Sequence, residues 1–281
     1  MKSVFQPLFS LLLIILLSVS LIHCSSKKKK PEPPVKEEAK VEKVAEAAPV
    51  IVKKAPKGPT WGYSGMIGPD LWSNLDPGFG ACKVGKEQSP LNLVWSQPKN
   101  KRNVSFKYQS SAYTVIDNGV TIKANMGPGS QMLVGHDTFE LKQLHFHSPS
   151  EHALSGKHFP LEIHLVHKTS AGHEAVVGIL VEEGQANPAI DQLWQGIPKQ
   201  KFVEQGEPQT MLDPSGFLPD RLTHYFYKGS LTTPPCSEGV QWNVFNTPLQ
   251  MSAEQISTFK AIYSHNARPL QKSNGRKIEN F

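Results

Sequence analysis

Eight of the eleven histidines in this chain fall between His136 and His173. Within that stretch "QLHFHSP" sets His145 and His147 two apart, "SEH" adds Glu151 and His152, and "LEIHLVH" sets Glu162 two residues before His164. Imidazole titrates near neutrality and ligates metals through either ring nitrogen, so this density calls for a proton-transfer or metal site. Side chains two apart on a strand share a face. His145 and His147 would then point together with Phe146 behind them, and Glu162, His164 and Val166 would share a face with Ile163 and Leu165 behind. If two such strands pair antiparallel, three imidazoles converge and leave one position open on a tetrahedral zinc, the arrangement of a catalytic centre. A lone H-x-H on a strand is more often packing than ligation. The third histidine at strand spacing, with an acid two residues before it, shifts the balance, because a carboxylate on the outer nitrogen fixes the tautomer and raises basicity. His152, His158, His167 and His173 are expected to be structural or exposed.

The elements around these residues read as strands. "FELKQLHFHSPSEH" alternates and then turns at Ser148-Pro149, and many short β-rich runs elsewhere are punctuated by Gly, Pro and Asn. Helical periodicity is clear mainly near "NPAIDQLWQGI" and "SAEQISTFKAI".

The net charge of +6 suggests nucleic acid until it is located. Residues 25–60 carry ten Lys against five Glu, whereas residues 61–281 carry nineteen basic and nineteen acidic side chains. A neutral body with a basic tail argues against a phosphate-binding domain. "MKSVFQPLFSLLLIILLSVSLIHC", with an early Lys and then an apolar run, reads as an export signal. It resembles a bacterial lipoprotein signal over residues 1–24, with Cys24 as the lipidated residue, although His23 stands where that pattern has a small one. The alternative is an uncleaved anchor. Residues 25–60, rich in Lys, Pro, Glu and Ala, are expected to be a disordered tether with a span of roughly 30–35 Å. Cys82 and Cys236 then remain as an even pair in an exported chain, either a disulfide or two buried thiols.

The motifs "WGYSGMIGPDLW", "CKVGKEQSPLNL", "QLHFHSPSEH", "LEIHLVH", "GSLTTPPCSEGVQW" and "NARPLQKSNGRKI" occur in that order. Over residues 61–281 the chain resembles the α-class carbonic anhydrases. The resemblance implies a mainly β fold: one catalytic domain on a large, twisted, mostly antiparallel sheet with a few short helices. It also implies zinc on His145, His147 and His164, with Gln143 and Glu162 holding two of them from behind. Thr232 and Glu151 would form a gate that aims a zinc hydroxide at carbon dioxide. Val166, Val176, Leu231 and Trp242 would wall the substrate pocket, with Thr233 beside the metal. Cys82 and Cys236 fall where bacterial members commonly have a disulfide.

The implied reaction is the reversible hydration of carbon dioxide to bicarbonate and a proton, at the cell envelope. No nucleic acid and no obligate protein partner is expected. Val120 stands where the family often has a proton-carrying histidine, and His136 is a possible substitute. A non-catalytic binding relative and a zinc-storage lipoprotein are the rival readings. The first is disfavoured by the presence of all three histidines, Thr232 and Glu151, and the second because a buried three-histidine site with one apolar wall is a poor design for storage.

Overall fold

The run "LEIHLVHK" forms a strand, Leu161–Lys168, in the computed structural model of the chain, which describes residues 51–54, 60–94, 96–98, 103–207 and 209–281. All but its last residue are buried. Both faces are therefore covered, and the strand must sit inside a sheet rather than at its edge. It lies in a sheet of thirteen strands. Those that bear on the site are β1 (Ile51–Lys54), β2 (Ser111–Asp117), β3 (Ile122–Met126), β4 (Asp137–His147), β5 (Leu161–Lys168), β6 (Glu174–Glu183), β7 (Val203–Gly206), β8 (His224–Ser230) and β9 (Glu238–Met251). Side by side they run β1, β7, β2, β3, β4, β5, β6, β9, β8. Every neighbouring pair in that order is antiparallel except β6 with β9, which is parallel.

Strand alternation sorts the side chains into two layers. Leu144, Phe146, Ile163, Leu165, Val177 and Ile179 form one face, packed with Ile190 and Leu193 of helix α1 (Pro188–Gln195) and Ile256 and Phe259 of helix α2 (Ala253–Ile262). Each such buried side chain contributes ~1.5–3 kcal/mol. Both helices start where the sequence caps them. The Asn187 side chain accepts from the Ala189 and Ile190 amides, and Ser252 with Gln255 closes a reciprocal capping box. The opposite face carries Val166, Val176, Tyr227, Trp242 and Val244, and it is the face of the histidine cluster.

The tether expected over residues 25–60 does not hold for Ile51–Lys54. These residues pair antiparallel with β7 from Ile51–Gly206 to Lys54–Val203. Ile51 and Val52 are β-branched, and the otherwise open edge of β7 offers unpaired backbone groups to such a segment. The expected signal at residues 1–24, Cys24, and the remainder of the tether up to residue 50 lie outside the described residues. The described residues belong to one unit, Ala47–Phe281.

His167, also on β5, faces away from the histidine cluster. It is fully buried and stacks on Tyr108, whose hydroxyl lies 2.7 Å from Nε2. Burial pushes its pKa down to about 4, from an ordinary value of 6.5. The folded chain therefore keeps it neutral at pH 7. Between the two values the unfolded chain binds the extra proton, so stability falls as pH drops from about 6.5 to about 4, by on the order of 3 kcal/mol. His167→Gln should narrow the difference in urea midpoint between pH 7 and pH 4.5. An unchanged difference would assign the acid sensitivity to other groups.

Candidate metal centre

The pairing of β4 with β5 sets His145 opposite His164 and His147 opposite Glu162. Cross-strand partners project from the same face, so three imidazoles meet, with ring centroids 5.0, 5.1 and 4.5 Å apart. One nitrogen from each lies within 4.8 Å of the other two. The outer nitrogens are all engaged. Gln143 Oε1 lies 2.9 Å from His145 Nδ1, the Asn266 carbonyl 2.8 Å from His147 Nδ1, and Glu162 Oε1 2.9 Å from His164 Nε2. Each of these oxygens accepts a hydrogen bond, so each outer nitrogen donates and each inner one keeps its lone pair.

Among the described residues those inner lone pairs have no donor to accept from. His147 Nε2 is buried without a hydrogen-bond partner, and His145 Nε2 and His164 Nδ1 face each other at 3.3 Å. Lone pairs aimed at one another repel unless a cation lies between them. Burial keeps the rings neutral, lowering His147 to about 4, His145 well below its ordinary value, and His164 below its own. The donor set therefore fits a borderline-soft divalent cation that takes three nitrogens and keeps a place open, which describes zinc.

A second group, His152, Glu162 and His164, also lies close together. Here hydrogen bonds account for the proximity. Glu162 accepts from His152 Nδ1 at 2.7 Å, from the His152 amide at 2.8 Å and from His164. Burial pushes the Glu162 carboxyl up, but His152 and His164 more than offset this and hold it well below the usual range. His152 continues to the Tyr227 hydroxyl at 2.6 Å, which donates to Ser89 at 2.9 Å. The glycine at 178 makes room for this chain, since a Cβ there would stand 3.0 Å from Glu162 Oε1.

Glu151 is fully buried beside the imidazoles, with Oε2 3.9 Å from His164 Nδ1. Its Oε1 accepts from the Arg268 amide at 2.8 Å. The Arg268 guanidinium in turn grips Gln88, Ser89 and the Cys82 carbonyl at 2.8–3.0 Å and lies over Trp72. Burial pushes Glu151 up to about 7, against the opposing influence of His164, the Arg268 amide and the Thr232 hydroxyl. Thr232 is thus close enough to act on the carboxyl, while Oε2 makes no regular hydrogen bond. A divalent cation among the imidazoles would favour the ionised form.

A cavity of about 270 Å³ opens onto His145 and His164. Val166, Val176, Leu231 and Trp242 line it on the apolar side, and Thr232, Thr233 and Gln143 also border it. The Trp242 indole is fixed by its 2.9 Å bond to the Ser230 carbonyl. The loop after β8 that carries Thr232 is tied down by a disulfide between Cys236 and Cys82. Val120 is buried and is not among the residues lining this cavity. His136 is exposed in the turn before β4 and is no substitute, because the nine residues from it to His145 span about 30 Å. A larger cavity of about 400 Å³, bordered by Tyr113, Gln192, Gln205 and Glu207, gathers no imidazole and only one carboxylate.

Sequence reading misses Asn266, Arg268, His152, Tyr227 and Ser89. Asn266 and Arg268 act on the site through backbone atoms, which residue type does not reveal. His152 is informative only once its contact with Tyr227 is known, and 75 residues separate the two.

A neutral-nitrogen cradle at the base of an apolar-walled cavity, on a large and mostly antiparallel sheet, is a candidate metal centre of the three-ligand, open-position type. The eukaryotic-type carbonic anhydrase family profile matches residues 67–281. A carbonic anhydrase of Pectobacterium carotovorum is 43% identical over 220 residues, which are 78% of this chain and 89% of that protein. The solved α-carbonic anhydrase of Thermovibrio ammonificans, in complex with the inhibitor sulfanilamide, is 42% identical with a TM-score of 0.75, over 79% of this chain and 100% of that one. A solved dioscorin complexed with ascorbate is 30% identical with a TM-score of 0.72, over 79% of this chain and 97% of that one. The chain belongs to the eukaryotic-type, or α-class, carbonic anhydrase family. It is an enzyme of that family, a carbonic anhydrase.

Proposed function

We propose that the chain hydrates carbon dioxide reversibly to bicarbonate and a proton, with zinc held by His145, His147 and His164. The observation that supports this most directly is the set of three inward lone pairs, each fixed from behind by Gln143, Asn266 or Glu162. Zinc supplies there the Lewis acidity that lowers the pKa of a water to about 7 and makes hydroxide available at neutral pH. The Thr232 hydroxyl, beside Glu151, would donate to its carboxylate, and the threonine oxygen would then be left as an acceptor that orients the nucleophile toward carbon. Ionised, Glu151 accepts at both oxygens, so one can serve Thr232 while the other is held by the Arg268 amide. Val166, Val176, Leu231 and Trp242 receive the apolar substrate, which a charged wall would repel in favour of water. The Thr232 amide would steady one oxygen of the product.

The proton must leave through water. With valine at 120 and, among the described residues, no imidazole bordering the cavity besides His145 and His164, its departure should limit turnover when buffer is scarce. One stopped-flow hydration assay tests both statements. Activity should be lost with a zinc chelator and return with added zinc. Imidazole buffer should raise kcat several-fold and leave kcat/KM nearly unchanged, since kcat/KM ends at the first irreversible step. Activity that survives complete zinc removal would exclude the metal assignment, and a kcat indifferent to buffer would reveal another proton path. A relative that binds small molecules without catalysis would show no hydration at all.

The same proposal places the enzyme at the bacterial envelope, carried by a lipid on Cys24 with the catalytic domain in the periplasm or at the cell surface. Cell fractionation with mass spectrometry of Cys24 tests that placement, and a soluble mature chain with unmodified Cys24 would exclude it.

A further inference from the structure

The strand row that carries the site extends beyond it. Glu204, Ile116, Lys123, His145 and His164 are successive cross-strand partners from β7 through β2, β3 and β4 to β5. Lys123 and His145 therefore project from the same face of the sheet, one strand apart, or about 5 Å at the backbone. Lys123 is only partly exposed.

Charge around the cavity is balanced elsewhere. Lys168 Nζ lies 2.7 Å from Glu174 Oε1, and Lys142 pairs with Glu140. Among the described residues, no carboxylate lies within 4.0 Å of the Lys123 ammonium. The acid on its own row, Glu204, is two strands away and already receives the Asn125 amide at 2.6 Å and the Thr114 hydroxyl. One strand spacing separates Lys123 from His145, which borders the cavity.

The substrate of the proposed reaction is neutral and its product is a monoanion. We propose that Lys123 is an anion-positioning residue, whose unbalanced ammonium raises the affinity of the site for bicarbonate and for other small monoanions. This inference rests on the proposed function, which makes an anion the product. The equilibrium constant fixes the ratio of kcat/KM in the two directions, so Lys123 does not favour one direction over the other. It sets how strongly the anion occupies the site, and hence how readily product and foreign anions inhibit.

The test uses the full-length chain loaded with cobalt(II), whose visible absorption changes when an anion enters the metal's open position. Thiocyanate serves as the probe. Metal content and melting temperature are measured alongside for the wild type and for Lys123→Arg, Lys123→Gln and Lys123→Glu. Loss of one unit charge at this range should weaken thiocyanate binding about fivefold, and reversal of the charge by roughly the square of that, about twenty-five-fold. Lys123→Arg should bind as the wild type does, and all four proteins should hold the same amount of cobalt. Binding within twofold of wild type in both the Gln and Glu variants would overturn the inference. So would an Arg variant as weak as the Gln one, which would assign Lys123 a packing role. A wild-type chain that takes up no cobalt would instead overturn the metal-site reading, before any anion is added, and this inference with it.

Discussion

Replacing His164 with alanine should drop bound zinc from about one per chain to less than about a tenth, and carbon dioxide hydration to below about 1% of wild type. Two effects combine at this position. The substitution removes one of three inward nitrogens, and it deprives the buried Glu162 of one of the donors that keep its carboxyl ionised. Losing a partner to a buried acceptor costs ~1–3 kcal/mol, so some loss of melting temperature should accompany the loss of metal. Gln143→Ala is the control. It removes only the acceptor behind His145, and changes of that type typically cost about 10- to 100-fold in metal affinity or activity. The His164 variant should be clearly worse than the Gln143 variant in zinc retained per folded chain, as judged by circular dichroism and metal analysis. Near-normal zinc in a folded His164→Ala protein would falsify the ligand assignment.

Thr232→Val should keep the zinc and lose about 10²–10³ in kcat/KM. Valine fills nearly the same volume but can neither donate to Glu151 nor accept from the nucleophile, and removal of one preorganised polar contact at a reacting centre commonly costs that much. Glu151 is already buried with an oxygen lacking a regular partner, so the variant adds little new strain to the fold. Thr232→Ser should recover most of the activity, since it restores the hydroxyl. Glu151→Gln should fall with Thr232→Val, and the double variant should be little worse than either, because the two act as one unit. Strictly additive losses, or a serine variant as poor as the valine one, would remove the hydroxyl from the mechanism.

The local chemistry of the site is legible wherever it follows from strand period and residue type. Alternation alone puts His145 with His147 and Glu162 with His164, and it sends Phe146, Ile163 and Leu165 to the other face. The even cysteine pair in an export context leaves a bond between Cys82 and Cys236 as one of two readings. Contacts made by the backbone or across long separations are not legible. The carbonyl that fixes His147 belongs to Asn266, 119 residues away, and any residue type supplies a carbonyl. The parallel pairing of β6 with β9 depends on how the chain between them returns, which no local pattern records. Ile51–Lys54 is obscured by its surroundings, where Lys, Pro and Glu dominate the composition and hide a short β-branched run. The chain from His152 through Tyr227 to Ser89 needs three distant segments at once before any one of them looks functional.

The bond between Cys82 and Cys236 spans 154 positions of sequence, and the three imidazoles, Gln143, Glu151, Glu162 and Thr232 all lie within that span. A protease that cuts the exposed residues 155–158 would place His145 and His147 on one fragment and His164 and Thr232 on the other. The two fragments would remain one molecule. Their reassociation is then intramolecular, governed by an effective concentration rather than by dilution. In oxidising surroundings such a nicked enzyme can survive as a working one, and a reductant would turn the same single cut into permanent loss.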